Sequence, residues 1–295
     1  RTVHLHSGSA HIRVGATLLF DSDPCEETKE TILKASAMLD VVRHCNAQDS
    51  QDVKLSGDLA EGFVFEDKTG SGLNSTGRSN LEKGMNLSIG GNLKKKVLLI
   101  DCEDSFVHTL GAYFRMANSD VKTIRIGFSI EELEKLIAEY KPSLICLSPG
   151  PGSPKEFGLD NIISKIRELK IPIFGVCLGL QAIVEHFGGT LDQLTTPMHG
   201  KKSLIDIVDD SSLMFKGIES PFEAGRYHSL FANKNTFPSG SLKVVAQTST
   251  DQIVMGIEHV SEAIAAVQFH PESIMTLDNN VGKHIILNIL CRFAL

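Results

Sequence analysis

The sequence predicts an α/β domain, a largely parallel open sheet with helices on both faces, preceded by a small α+β unit. Three observations lead there. From Lys96 onward, short apolar runs alternate with stretches of helical apolar period, the pattern of strand, crossover helix and next strand. The runs "KVLLID", "SLICLS" and "IPIFGV" are apolar nearly throughout instead of alternating, as strands covered on both faces must be. Upstream, residues 44–95 are rich in Gly, Ser, Asn and Asp, which is the composition of a linker. The chain therefore divides into residues 1–43, 44–95 and 96–295.

In the first unit, "TVHLHSG" and "AHIRVGATLLF" flank "SGS" and predict a hairpin. "DSDPCEETKETILKASAMLDVV" follows as a helix, with Asp23 before Pro24 at its start and an apolar stripe through Ile32, Leu33, Ala35, Leu39 and Val42. A hairpin and one helix bury too little surface to stand alone. With Arg1 in place of an initiating Met, the chain reads as the C-terminal portion of something longer. The linker offers one short strand, "GFVFED".

In the third unit the strands "KVLLID", "VKTIRI", "SLICLS" and "IPIFGV" are each followed by a helix: "SFVHTLGAYFRMA", "SIEELEKLIAEY", "LDNIISKIREL" and "LGLQAIVEHFG". After residue 190 the pattern turns to strands, "SLIDIVD", "LKVVAQT", "IVMGIEH" and "IAAVQFH", closed by the helix "NNVGKHIILNILCRF". Sites in sheets of this kind lie beyond the carboxyl ends of the strands.

Composition removes several function classes. A formal net charge of -7, with no basic block beyond "KKK", argues against a nucleic-acid partner. No run of 18 apolar residues could span a bilayer, and the opening residues lack the apolar core of an export signal. A cytoplasmic setting with reduced thiols is expected. The six cysteines, at 25, 45, 102, 146, 177 and 291, show no CxxC or Cys/His spacing for zinc.

One cysteine has special flanks. Cys177 ends a strand and opens a helix, with Gly175 before it and Gly179 after it, the small neighbours a sharp strand-to-helix turn requires. A helix N-terminus favours a thiolate, and the N–H of Leu178 would share its space. On these residues alone, a buried inert thiol stands as an equal alternative. A base is available in "AVQFHPES": His270 at a strand end, with Glu272 two residues on to orient the imidazole. The loop "LSPGPGSP" leaves a third strand, where the N–H of Gly150 could join that of Leu178 in an oxyanion hole. A rigid strand-exit turn is the other reading of that loop. Gln181, one turn beyond Cys177, is either a substrate contact or a surface residue. "GRYHSL" and His199 of "MHGKK" are either ligand walls or solvated loops.

Taken together, "DCEDSFVHTL", "LSPGPGSP", "GVCLGLQ", "MHGK", "YHSL" and "QFHPES", in this order, resemble the class I glutamine amidotransferases, specifically the glutaminases of anthranilate and aminodeoxychorismate synthases. The resemblance implies a Cys177, His270 and Glu272 triad, an oxyanion hole at Gly150 and Leu178, and glutamine contacts from Gly150, Gly152, Gln181, Ser229 and Leu230. Residues 1–43 resemble the end of a chorismate-binding synthase domain, through Arg1, "GAT" with Gly15, "DSDP", and Glu27 with Glu30. That implies chorismate contacts at Arg1 and Gly15 and Mg²⁺ at Glu27 and Glu30, although Thr17 stands where a Gly is usual. The implied substrate is L-glutamine, and the implied partner is a chorismate-binding domain in the same full-length chain. A homo-oligomer is also expected. An aminodeoxychorismate or phenazine-type synthase, or a catalytically silent scaffold domain, are the alternatives.

Overall fold

The computed structural model describes residues 2–6, 9–13 and 94–293. The chain divides into two units, residues 1–90 and 91–295. In the first, β1 (Thr2–His6) pairs antiparallel with β2 (Ser9–Arg13), from Thr2 opposite Arg13 to His6 opposite Ser9, the predicted hairpin. The expected helix after Asp23, the linker strand, and Arg1, Gly15, Glu27 and Glu30 lie outside the described residues.

The second unit follows the predicted order except for one unpredicted strand, Phe222–Ala232, which contains "GRYHSL". Its first half runs β3 (Lys96–Asp101), α1 (Val107–Met116), β4 (Asp120–Arg125), α2 (Ile130–Tyr140), β5 (Leu144–Leu147), α3 (Leu159–Glu168), β6 (Ile173–Val176) and α4 (Leu178–His186). Then come β7 (Leu191–Ile207), β8 (Phe222–Ala232), β9 (Leu242–Thr248), β10 (Val254–His259), β11 (Ile264–Val267) and α5 (Val281–Arg292). No described helix is long and apolar enough to cross a membrane.

The sheet is mixed, not largely parallel. Its order is β4-β3-β5-β6-β11-β10-β9-β7-β8, and only the first five strands are mutually parallel. From β11 onward each neighbour is antiparallel. Loop length explains the change. Residues 249–253 and 260–263 are all that join β9 to β10 and β10 to β11, enough for a hairpin and too few for a crossover. β7 also begins well before "SLIDIVD", because its first half is polar and mostly exposed and shows no apolar signal.

The helices do cover both faces. Alternate residues of each buried strand enter different cores. Val97 and Leu99 of β3 pack with Leu110 and Phe114 of α1 and Ile285 and Ile289 of α5. Leu98 and Ile100 pack with Leu133 of α2, Ile163 of α3 and Ile183 of α4. The strands are apolar throughout for this reason.

At α2 the local signal and the structure coincide. Ser129 caps the helix by accepting from the Glu132 N–H at 3.2 Å, while Glu132 accepts from the Ser129 N–H at 2.8 Å. Ser129→Ala is expected to cost about 1 kcal/mol, lowering Tm by roughly 2–4 °C in a thermal melt.

Candidate active site

Cys177 sits where β6 becomes α4, with φ 53° and ψ -98°. An L-residue with a side chain holds that conformation only when its surroundings enforce it. They do so from both sides. The Cys177 N–H donates to the Val267 carbonyl of β11 at 2.8 Å, and the Cys177 carbonyl accepts from the Gln181 N–H at 3.2 Å. Glycine is required beside it, since a Cβ on Gly175 would lie 2.7 Å from the Gly179 carbonyl carbon. The sulfur belongs to a residue only 5% exposed, beneath the carboxyl ends of the parallel strands.

Two other cysteines show what an inert thiol looks like in this fold. Burial pushes the Cys102 thiol up to about 12, and burial likewise raises Cys146 well above its ordinary value. Both stay protonated near neutral pH.

His270 and Glu272 follow β11 on the neighbouring parallel strand. The imidazole Nδ1 and Glu272 Oε1 are 2.8 Å apart, and both side chains are buried. This leaves Nε2, buried without a hydrogen-bond partner, as the nitrogen available to sulfur. Burial opposes charging this ring. Glu272 and the nearby Cys177 outweigh burial, so the imidazole is held well above its usual pKa. The backbone is fixed as firmly, with the His270 N–H donating to the Gly225 carbonyl at 3.0 Å and Thr276 Oγ1 donating to the His270 carbonyl at 2.7 Å. Phe106 and Tyr227 pack their rings against the imidazole, with centroids 5.1 and 4.8 Å away.

The remaining expected residues gather around the same point. Gly150 leaves β5, and a Cβ there would lie 2.5 Å from Leu178 Cδ2, so loop and helix start are in contact only because that position is Gly. Gly152 is exposed on the same loop. Leu178 is the first residue of α4, whose N–H has no partner within the helix. Gln181 is not a surface residue: it is 3% exposed, and its Nε2 donates to the Leu230 carbonyl at 3.0 Å. Ser229 and Leu230 belong to β8, so "GRYHSL" is a strand and not a loop. Opposite Ser229 the ladder slips, passing from Gln193–Leu230 to Met198–His228 across Pro197, which has no N–H to give. His199 lies in β7, edge-on to Tyr227 at 5.9 Å.

Residue-level reading of the sequence assigned nothing to Gln268, which is fully buried and donates its Nε2 to Cys177 Sγ at 3.5 Å. Nor did it foresee Arg226 and His228 as a buried pair. Arg226 Nε donates to His228 Nε2 at 3.1 Å, so the imidazole proton resides on Nδ1, which donates to the Leu230 carbonyl at 2.8 Å. The only signal was their place in "GRYHSL".

Burial, and then the Arg226 charge, lower the His228 pKa to about 3. Between about pH 6.5 and 3 the unfolded chain binds a proton at His228 that the folded chain refuses. The His228 contribution to stability is therefore complete above pH 6.5 and falls as pH drops through that window, by on the order of 3–5 kcal/mol. Urea midpoints measured from pH 7 to 4 should show this slope, and His228→Gln should flatten it.

Among the described residues, no group of three or more His, Cys, Asp or Glu side chains is placed to hold a metal ion. A cysteine on a strained strand-to-helix turn, with a buried His–Glu pair on the adjacent strand end, is the arrangement an activated thiol nucleophile needs on an α/β sheet. The chain belongs to the class-I glutamine amidotransferase family, which matches residues 98–288.

Anthranilate synthase of Azospirillum brasilense is 38% identical over 294 residues, covering 100% of this chain but 35% of that protein. The chain thus spans about a third of that relative's length. Anthranilate synthase component 2 of Methanocaldococcus jannaschii is 45% identical over 187 residues, 63% of this chain and 89% of that protein. Among solved structures, a GMP synthase subunit from Thermoplasma acidophilum matches with TM-score 0.57 at 24% identity, covering 68% of this chain and 96% of its own; it speaks for the fold alone.

Proposed function

We propose that this chain hydrolyses the side-chain amide of L-glutamine and passes the ammonia to a chorismate-binding domain of the same full-length protein, which forms anthranilate for tryptophan synthesis. Cys177 sulfur attacks the amide carbon, and the carbonyl oxygen takes the charge, facing the N–H groups of Leu178 and Gly150. His270 gives its proton to the departing ammonia, leaving a glutamyl thioester. It then takes a proton from water, whose oxygen displaces the sulfur and yields glutamate. Glu272 holds the imidazole throughout. Gln181, Gly152, Ser229 and Leu230 hold the substrate.

The observation that carries this reading is the 2.8 Å His270–Glu272 pair, raised in proton affinity in part by the Cys177 sulfur. The partner domain is supported by the Azospirillum anthranilate synthase, whose similarity runs through all of this chain, beyond the glutaminase residues. Mg²⁺ serving the chorismate chemistry would be held at Glu27 and Glu30, and no step above passes through it. A glutamine-analogue electrophile should label Cys177, and free glutamine should protect it; labelling elsewhere would refute the assignment.

A second reading has a specific observation behind it. The aminodeoxychorismate/anthranilate synthase component 2 of Bacillus subtilis is 41% identical and 95% covered, so one glutaminase type serves both products. Product analysis of the full-length chain with chorismate and glutamine separates the two.

A further inference from the structure

We infer that Gln268 is a further catalytic residue: its side-chain N–H, aimed at Cys177 Sγ by a one-way chain of hydrogen bonds anchored at the acceptor-only Leu230 carbonyl, stabilises the thiolate that attacks glutamine. This rests on the glutaminase reading above.

The relay has a single direction. Arg226 is 2% exposed and can only donate. Its Nη1 donates to Ser203 Oγ at 3.1 Å, its Nη2 is buried without a partner, and its Nε donates to His228 Nε2. His228 must then donate from Nδ1, and it does so to the Leu230 carbonyl. That oxygen can only accept, so the end of Gln181 lying 3.0 Å away is its NH₂ group. The same nitrogen faces Gln268 Oε1 at 3.4 Å. Gln268 is thereby turned with its own NH₂ toward sulfur, at 3.5 Å. Flipping Gln268 would set two NH₂ groups against each other and put a carbonyl dipole against the attacking sulfur.

The chemistry needs such a donor. A thiolate in a buried pocket has lost water, and each N–H directed at it replaces part of that solvation. His270 supplies a proton acceptor for the thiol, but after transfer its N–H is spent on the leaving ammonia. The Gln268 N–H stays on the sulfur through both half-reactions. Gln181 and the Leu230 carbonyl are the positioning groups, because they set the direction of the Gln268 amide, while Arg226 and His228 lie behind that carbonyl.

The test uses the full chain and reads the pH dependence of Cys177 alkylation by iodoacetamide, followed on the Cys177 peptide by mass spectrometry, without glutamine. Gln268→Met keeps the length and removes the N–H; Gln268→Glu keeps the shape and sets an oxygen against sulfur. The charged groups facing the sulfur from the segment after β11, His270 and behind it Glu272, remain in both. The alkylation midpoint should move up in pH, lowering the rate at pH 7 by about 10-fold in Gln268→Met and by more in Gln268→Glu. kcat should fall by a similar factor, with KM for glutamine changed less than about 3-fold.

Thermal melts identify any variant that does not fold, and Gln268→Met decides if Gln268→Glu fails. A folded Gln268→Met protein with the parent alkylation profile would overturn the proposal. A shifted profile in a chain that releases no ammonia from glutamine would leave the relay standing and refute the glutaminase reading instead.

Discussion

Cys177→Ala is expected to lower kcat for glutamine hydrolysis by on the order of 10⁴-fold or more, because the covalent route is removed and only binding and the oxyanion donors remain. KM should change little, since Cys177 is only 5% exposed and its sulfur holds no part of the substrate other than the reacting amide carbon. Fold effects are separable. Alanine at φ 53° keeps the strain of the elbow, whereas glycine accepts it, so Cys177→Gly should be more stable than Cys177→Ala by about 1 kcal/mol and equally inactive. Ammonia release and paired thermal melts check both halves. An alanine protein hydrolysing glutamine within 10-fold of the parent would rule out the nucleophile.

Gly282→Ala should give a large loss of stability for the addition of one methyl group, about 2–4 kcal/mol, and a Tm lower by roughly 5–15 °C. In an exposed helix the same change would stabilise by about 1 kcal/mol. Here the sign reverses, because a Cβ on Gly282 would collide with the Pro271 carbonyl oxygen. Either α5 withdraws from the core it shares with β3, or the His270–Pro271–Glu272 segment moves. Moving that segment breaks the 2.8 Å His270–Glu272 contact, so glutaminase activity should fall together with stability. A variant with unchanged Tm and activity would mean that α5 does not lock this segment in place.

Much of this site was legible from residues close in sequence. The glycines flanking Cys177, the His270–Glu272 spacing and the Ser129 capping box are marks carried by neighbouring residues, although the strained Cys177 backbone is also held by Val267 of β11. What stayed hidden was carried by strands without a periodic apolar signal. β8 places Tyr227 against His270 and Leu230 against Gln181, yet its pattern is mixed, with Arg226 and His228 buried and Glu223 exposed. Polar residues at buried positions look like loop until their partners are known. Gln268 stands inside "QFHPES" without a role of its own, because a lone Gln after an apolar strand has no local distinguishing mark.

By itself, the sequence determined which segments are strands and helices in the parallel half, which cysteine stands at a strained turn, and which base follows at a strand end. Those properties follow from side-chain period and from glycine and proline, which act within a few residues. Only the tertiary structure decided the antiparallel half of the sheet, the caging of His270 by Phe106 and Tyr227, and the direction of the Gln268 amide. The contacts responsible join residues 49 positions apart for Gln181 and Leu230, and 91 apart for Gln268 and Cys177. Hydrogen-bond direction in a buried network is settled by its acceptor-only and donor-only members, and those meet only when the chain has folded.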